Sequence, residues 1–153
     1  MQKNIKSLRS LVNMKLQKEQ DIVPKTTIYL ITPTYSRYTQ KADLTRMSQT
    51  LMHVKNIHWV VVEDASTTTQ LVTGVLKKSG LKNTQLSVRT QSNLQKKSDD
   101  PHWKKHRGVD QRNMGLQWLR KHSTPATNGV VYFADDDNTY SYLKVLLIQY
   151  IHQ

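Results

Sequence analysis

Three consecutive carboxylates follow an apolar run near the end of the sequence. Residues 129–134 are mostly β-branched and aromatic, which is typical of a buried strand, and Asp135, Asp136 and Asp137 come directly after them. Three adjacent like charges repel one another, so a cation and hydrogen-bond donors beside them relieve that repulsion. Mg²⁺ and Mn²⁺ take few protein carboxylates and fill their other positions with water and substrate phosphates. The acids predict a site for a divalent metal and a phosphorylated ligand, and a solvated turn that closes the strand is the alternative.

The elements that would carry these acids alternate between strands and helices. Apolar runs and helical spacing predict strands at residues 27–32, 57–62, 85–89 and from 129 onward, with helices at 40–54, between 69 and 80, and at 109–122. Strands alternating with helices imply an α/β fold with a mostly parallel sheet and helices on both faces. In such open sheets, ligands bind at the carboxyl ends of the strands, where the three acids would lie.

Several local features of these elements can also be predicted. Pro33 is expected to stop the first strand because it has no backbone N–H to donate. Gly80 is expected to end the second helix, since glycine tolerates the left-handed conformation found there. The inner face of the third helix is expected to be Val109, Leu116 and Leu119.

Composition limits the classes of protein that fit. The 153-residue chain, with 37% hydrophobic and 22% charged residues, is expected to form one globular domain. It has no cysteine, which excludes disulfides, a thiolate nucleophile and a cysteine-based zinc site. Its formal charge of +12 attracts polyanions, whether nucleic acid, acidic glycan, nucleotide or anionic lipid, without choosing among them. No apolar stretch reaches the roughly 20 residues of a membrane span, so any membrane anchor is expected outside this sequence.

Two further predicted strands end in residues that suit a nucleotide sugar. Pro33, Thr34 and Tyr35 follow the first strand, and Asp64 follows the second. A tyrosine ring can hold a base, and a carboxylate can accept a hydrogen bond from a uracil N–H. Taken singly, Tyr35 as a loop anchor and Asp64 as a helix cap are the plainer interpretations. Their order at successive strand ends favours the nucleotide-sugar site.

The motifs around these residues closely resemble those of the β-1,3-glucuronosyltransferases. They are IYLITPTY at 28–35, QKADLTRMSQTL at 40–51, HWVVVEDA at 58–65, RGVDQRN at 107–113 and VVYFADDDNTYS at 130–141. The resemblance spans roughly residues 26–141 in order. It implies a fold like glycosyltransferase type A (Rossmann-like) and a role in making the glycosaminoglycan–protein linker of proteoglycans. The implied reaction is the Mn²⁺-dependent, inverting transfer of glucuronate from UDP-glucuronate to the 3-hydroxyl of a terminal galactose.

The resemblance also implies a set of donor-binding residues. They are Pro33, Thr34, Tyr35, Asp64, Arg107, Arg112, Asp135, Asp136 and Asp137. The first four would surround the uridine, and the two arginines would reach the anionic groups of the donor. Asp135 and Asp136 would meet ribose and sugar hydroxyls. Asp137 would ligate Mn²⁺, which stabilises the departing UDP as a Lewis acid.

The resemblance ends at Ser141, and the family continues with an acceptor-binding half that carries a glutamate as general base. Residues 26–141 are therefore expected to be the UDP-sugar-binding half, flanked by a leader at 1–25 and an atypical tail at 142–153. On this interpretation no residue of the chain is assigned as the catalytic base. The family also implies a Golgi type II membrane location, a galactose-terminated glycan as acceptor, and a homodimer in the full-length protein.

A basic protein that binds nucleic acid or another polyanion without catalysis is the rival hypothesis. The segment from Lys96 to Arg107, with Trp103 inside it, could pair with and stack on a single strand. This hypothesis leaves the three acids unexplained, because without a metal they would repel phosphates. No nucleic-acid partner is therefore expected.

Overall fold

The computed structural model describes residues 26–91, 108–123, 128–141 and 145. Their elements are β1 (Thr27–Thr34), α1 (Gln40–Leu51), β2 (Ile57–Glu63), α2 (Gln70–Ser79), β3 (Lys82–Ser87), α3 (Val109–His122) and β4 (Gly129–Phe133). The four strands form one sheet in the order β3-β2-β1-β4, and all three neighbouring pairs are parallel. The predicted α/β fold with a parallel sheet, like that of type A glycosyltransferases, is confirmed.

The sheet separates two hydrophobic clusters. The larger cluster joins α1 and α2 to one face of β1 and β2, and its Trp59 side chain is completely buried. The indole N–H of Trp59 donates to Thr32 Oγ1 at 2.9 Å, so the buried ring keeps a hydrogen-bond partner. The smaller cluster joins α3 to the opposite face, where Ile31, Val60 and Leu119 meet. Every residue of β2 is buried, as expected for a central parallel strand covered on both faces.

The prediction that Pro33 stops the first strand is wrong. β1 continues through Pro33 to Thr34, and the pairing with β2 is unbroken there. Alternate residues of a strand direct their backbone groups to opposite neighbours. The carbonyl of Ile31 accepts from Ala134 on the β4 side, whereas that of Thr34 accepts from Asp64 on the β2 side. Pro33 therefore faces the β4 side, where strand pairing has already ended at Ile31, and its missing N–H removes no ladder hydrogen bond.

The third strand begins and ends earlier than predicted. β3 spans Lys82–Ser87 instead of 85–89, because its pairing with β2 starts at His58 opposite Lys82. Lys82 and Asn83 are exposed on this edge strand. Polar edge residues leave no apolar signal in the sequence, so the start of the strand could not be read from hydrophobicity.

The helix boundaries agree better with the expectations, although α1 ends at Leu51 instead of residue 54. Thr69 caps α2, its side chain accepting from the backbone N–H of Val72, and Gly80 ends the helix with φ of 65°. The span of α3 is as predicted, and of its expected inner face Leu119 is buried and Leu116 packs against the smaller cluster, but Val109 does not lie on it. Val109 is 47% exposed, and the buried positions are Gln111, Gly115 and Leu119. A pattern that counts only apolar residues misses an inner face that contains a glutamine and a glycine.

Gly115 permits the close approach of α3 to β1. A Cβ atom at this position would lie 2.8 Å from Ile31 Cγ2, a buried atom that cannot easily move. We expect Gly115→Ala to lower the free energy of unfolding by about 1–2 kcal/mol, since overpacking outweighs the gain in helix propensity. Gly74→Ala in α2 is the matched control, because its Cβ would meet nothing within 4 Å. The control should gain about 0.5–1 kcal/mol in urea unfolding, and a Gly115→Ala variant as stable as this control would contradict the packing argument.

Two expected segments lie largely outside the described residues. The leader at 1–25 is outside them entirely, and only Val145, a buried residue of the larger cluster, is described from the tail at 142–153. Over the part of the chain that is described, each helix is too short or too polar to cross a membrane.

Candidate active site

The carboxyl ends of β1, β2 and β4 meet at one edge of the sheet. The backbone N–H of Asp64, just after β2, donates to the carbonyl of Thr34 at 2.8 Å. The N–H of Ala134, just after β4, donates to the carbonyl of Ile31 at 3.0 Å. These bonds hold the loops that carry Tyr35, Asp64 and the three acids beside one another. The sequence prediction that these strand ends form a single site is consistent with this geometry.

Asp136 is the most buried of the three acids. Its residue is 4% exposed, and Oδ2 accepts from Thr34 Oγ1 at 2.5 Å and from Arg37 Nη1 at 3.0 Å. Gln40 Nε2 in turn donates to Thr34 Oγ1 at 3.1 Å. Asp136 thus fixes the acidic loop, defined here as residues 134–138, to the end of β1 and the start of α1.

Two arginines that the sequence reasoning did not assign hold this loop. Arg37 bridges Asp136 and Asp43, the second at 2.8 Å, and Arg46 also pairs with Asp43, at 3.2 Å. Arg46 Nη2 donates to the backbone carbonyl of Asp137 at 3.2 Å. Hydrogen bonds from Thr39 and Arg37, together with the charge of both arginines, hold the pKa of Asp43 below its usual value despite burial. One face of α1 carries Gln40, Asp43 and Arg46, because residues three positions apart are neighbours on a helix. This spacing is visible in the 40–51 motif and could have indicated the network.

Asp135 lies at the other end of the loop and pairs with Arg112 in the first turn of α3. The side chains are 43% and 28% exposed respectively, so a ligand can reach both. The family resemblance implies a donor-binding role for both residues, and the fold brings them into direct contact. Arg107, the other predicted arginine, lies outside the described residues.

Asp137 differs from its two neighbours because it is exposed. Among the described residues its carboxylate makes no hydrogen bond or ion pair, and no group of three acidic or histidine side chains gathers there to enclose a metal. A closed metal cage is therefore not formed by the part of the chain that is described. A single exposed carboxylate does fit a hard divalent ion that takes its remaining oxygens from water and phosphates.

Tyr35 and Asp64 follow β1 and β2 at this edge of the sheet, where the sequence analysis expects the base of a nucleotide. Tyr35 is 38% exposed, and the guanidinium carbon of Arg37 is 4.7 Å from the centroid of its ring. A base that stacks on Tyr35 must use the opposite face of the ring or displace this guanidinium. Both carboxylate oxygens of Asp64 accept hydrogen bonds from Thr90, which in turn accepts from Gln111. Sequence reasoning missed these last two residues.

Comparison with known proteins decides the family. Residues 47–150 match the model of glycosyltransferase family 43. The chain belongs to glycosyltransferase family 43. It is 52% identical over 118 residues to a galactosylgalactosylxylosylprotein 3-beta-glucuronosyltransferase of Caenorhabditis elegans, over 77% of this chain and 33% of that protein. A galactosylgalactosylxylosylprotein 3-beta-glucuronosyltransferase of Mus musculus is 51% identical to it, over 75% of this chain and 37% of the relative. One of Drosophila melanogaster is 48% identical, over 75% of this chain and 38% of the relative.

The chain spans about a third of the length of these relatives. Family 43 is a family of glycosyltransferases, so the resemblance stated from the motifs is confirmed at the level of the enzyme family. The described part of this family 43 chain brings together all the predicted site residues except Arg107. The residues that it adds are Arg37, Asp43, Arg46, Thr90 and Gln111.

Proposed function

We propose that this family 43 chain binds UDP-glucuronate and forms the donor side of a transfer of glucuronate to the 3-hydroxyl of a terminal galactose. The relatives are named as 3-beta-glucuronosyltransferases that act on galactosylgalactosylxylosylprotein. The observation that carries the proposal is the meeting of Tyr35, Asp64 and the acidic loop at one carboxyl edge of a parallel sheet. The acceptor is then the galactose-terminated linker of a proteoglycan, and the compartment is the Golgi membrane.

The uridine would lie at the end of β1 and β2. Pro33 and Thr34 are the last residues of β1 there, Tyr35 would offer a ring for stacking, and Asp64 would accept the N–H of the uracil ring. Base–aromatic stacking alone is tolerant of base identity. Selectivity for uracil therefore depends on Asp64, whose carboxylate can accept a hydrogen bond but cannot donate one.

The acids would meet the rest of the donor. Asp135 and Arg112 form an accessible ion pair that offers acceptors to hydroxyls and N–H donors to anionic groups. Asp136 is committed through Oδ2 to Thr34 and Arg37, so a hydroxyl contact would use the remaining acceptor capacity of its carboxylate. Its main effect is to hold the loop rigid beneath the ligand.

Asp137 is the residue that would hold Mn²⁺, since its carboxylate is exposed while those of Asp135 and Asp136 are paired. A bound ion would supply a Lewis acid that offsets the negative charge of the diphosphate and so favours the departure of UDP. In the transfer, the bond between the anomeric carbon and the diphosphate oxygen breaks as the acceptor oxygen bonds to that carbon and inverts it. The proton of the acceptor hydroxyl passes to a general base, a role that we assign to none of the described residues.

Arg112 provides a direct test of donor binding. We expect Arg112→Gln to weaken binding of UDP-glucuronate by about tenfold, because a charge-assisted hydrogen bond to the anionic donor is lost. Arg120→Gln is the matched control, since Arg120 is an exposed residue in the last turn of the same helix. Calorimetric titration of both variants with UDP-glucuronate measures the affinities. Equal affinities of Arg112→Gln and the control would contradict the proposed role of Arg112.

A further inference from the structure

One residue holds the carboxylate of Asp64 at two points. Oδ1 accepts from the backbone N–H of Thr90 and Oδ2 accepts from Thr90 Oγ1, each at 2.8 Å. Two donors on separate oxygens fix both the position and the plane of a carboxylate. About four acceptor positions exist on an ionised carboxylate, so Asp64 keeps the capacity to accept a further N–H.

Gln111 holds Thr90 in turn. Its Nε2 donates to Thr90 Oγ1 at 3.2 Å and to the carbonyl of Val88 at 2.8 Å. A hydroxyl has one hydrogen, and Thr90 gives it to Asp64, so Thr90 is the acceptor in its contact with Gln111. The order of donors is therefore determined along the whole series, from Gln111 through Thr90 to Asp64.

The amide of Gln111 is oriented at a cost to stability. The residue is 1% exposed, and its buried Oε1 atom has no hydrogen-bond partner among the residues that the structure describes. An unsatisfied buried acceptor destabilises a fold, and an apolar side chain at this position would avoid it. The glutamine provides two N–H donors, which fix Thr90 and the backbone of Val88 just after β3. The next residue, Arg112, pairs with Asp135, so the first turn of α3 contacts both Thr90 and the acidic loop of the site.

We propose that Thr90 and Gln111 are positioning residues that orient Asp64 to select uracil over cytosine. This inference rests on the proposed function, because it assumes that Asp64 faces the base of a bound nucleotide. Uracil carries a hydrogen on N3, whereas cytosine has a lone pair there. A carboxylate held in one plane accepts a hydrogen bond from the N3–H of uracil and repels the N3 lone pair of cytosine. A carboxylate that can turn away discriminates less between the two bases.

The test compares UDP and CDP binding, each with Mn²⁺ present, to variants of the 153-residue chain by calorimetric titration. Thr90→Val removes the hydroxyl but keeps the backbone N–H, and it should weaken UDP binding about tenfold and lower the UDP-to-CDP affinity ratio by about the same factor. Thr90→Ser keeps the hydroxyl, so its UDP affinity and its UDP-to-CDP affinity ratio should equal those of the unaltered chain. Thr45→Val is the control, since the hydroxyl of Thr45 donates only within α1, to the carbonyl of Lys41.

The affinity ratio separates positioning from a general effect on folding, because destabilisation alone would lower both affinities together. Thr90→Ala makes the same test if the valine variant fails to fold. If the unaltered chain prefers UDP, and Asp64→Ala removes that preference, then an unchanged ratio in both Thr90→Val and Thr90→Ala overturns the inference alone. If the unaltered chain shows no preference for UDP, the proposed function and the inference are overturned together.

Discussion

An Arg37→Ala variant is expected to lose about 3 kcal/mol of the free energy of unfolding. The side chain of Arg37 is 15% exposed and pairs with Asp43 and Asp136, whose side chains are 13% and 6% exposed. Removing one partner of a buried pair leaves the other charge without compensation, which costs about 3–5 kcal/mol. We expect the lower end, because the rim of this network reaches solvent. Urea unfolding would measure the loss.

Two variants make this expectation specific. Arg46→Ala removes the other arginine that contacts Asp43, but Arg46 is 46% exposed, so the expected loss is below about 1 kcal/mol. Adding Asp136→Asn to Arg37→Ala removes the stranded charge while keeping an acceptor for Thr34, and it should recover part of the stability. Equal losses in Arg37→Ala and Arg46→Ala would show that Arg37 does not anchor the acidic loop.

The second large effect is expected at Asp137. Asp137→Ala should weaken Mn²⁺ binding in the presence of UDP at least tenfold, since it removes the exposed carboxylate assigned to the metal. The free energy of unfolding should change by no more than about 0.5 kcal/mol, because the side chain is exposed. Electron paramagnetic resonance of free Mn²⁺ measures the affinity directly.

Asp110→Ala is the matched control for metal binding. Asp110 is an acidic residue in the first turn of α3, outside the acidic loop. Asp110→Ala and Asp137→Ala change the net charge by the same amount. If Mn²⁺ were attracted only by the overall charge, its affinity would fall equally in the two variants. Equal affinities in the two variants would contradict a specific role for Asp137.

The features that could be predicted from sequence are those encoded over a few adjacent residues. The change from an apolar run to three acids predicted β4 and the position of the acidic loop at its end. Thr69 and Gly80 were recognisable as caps because the chemistry of a helix end is local. The alternation of strands and helices was sufficient to predict a parallel sheet.

The contacts that could not be predicted join distant parts of the chain. Arg37 and Asp136 are 99 positions apart and meet only because β4 pairs with β1 and not with β3. Thr90 reaches Asp64 over 26 positions through the pairing of β3 with β2. The effect of Pro33 also depends on a distant strand. Its missing N–H would interrupt β1 only if β4 still paired with β1 at that position, and that pairing ends at Ile31. Strand order, which the sequence pattern does not encode, determines all three.

Titration of UDP into the 153-residue chain, with Mn²⁺ and with a chelator, tests the central claim most directly. The claim is that the edge formed by β1, β2 and the acidic loop is a metal-dependent site for a uridine nucleotide. We predict one-to-one binding that requires Mn²⁺ and that is lost in Asp137→Ala. Absence of UDP binding by a folded sample, or equal binding with Mn²⁺ and with the chelator, would contradict it.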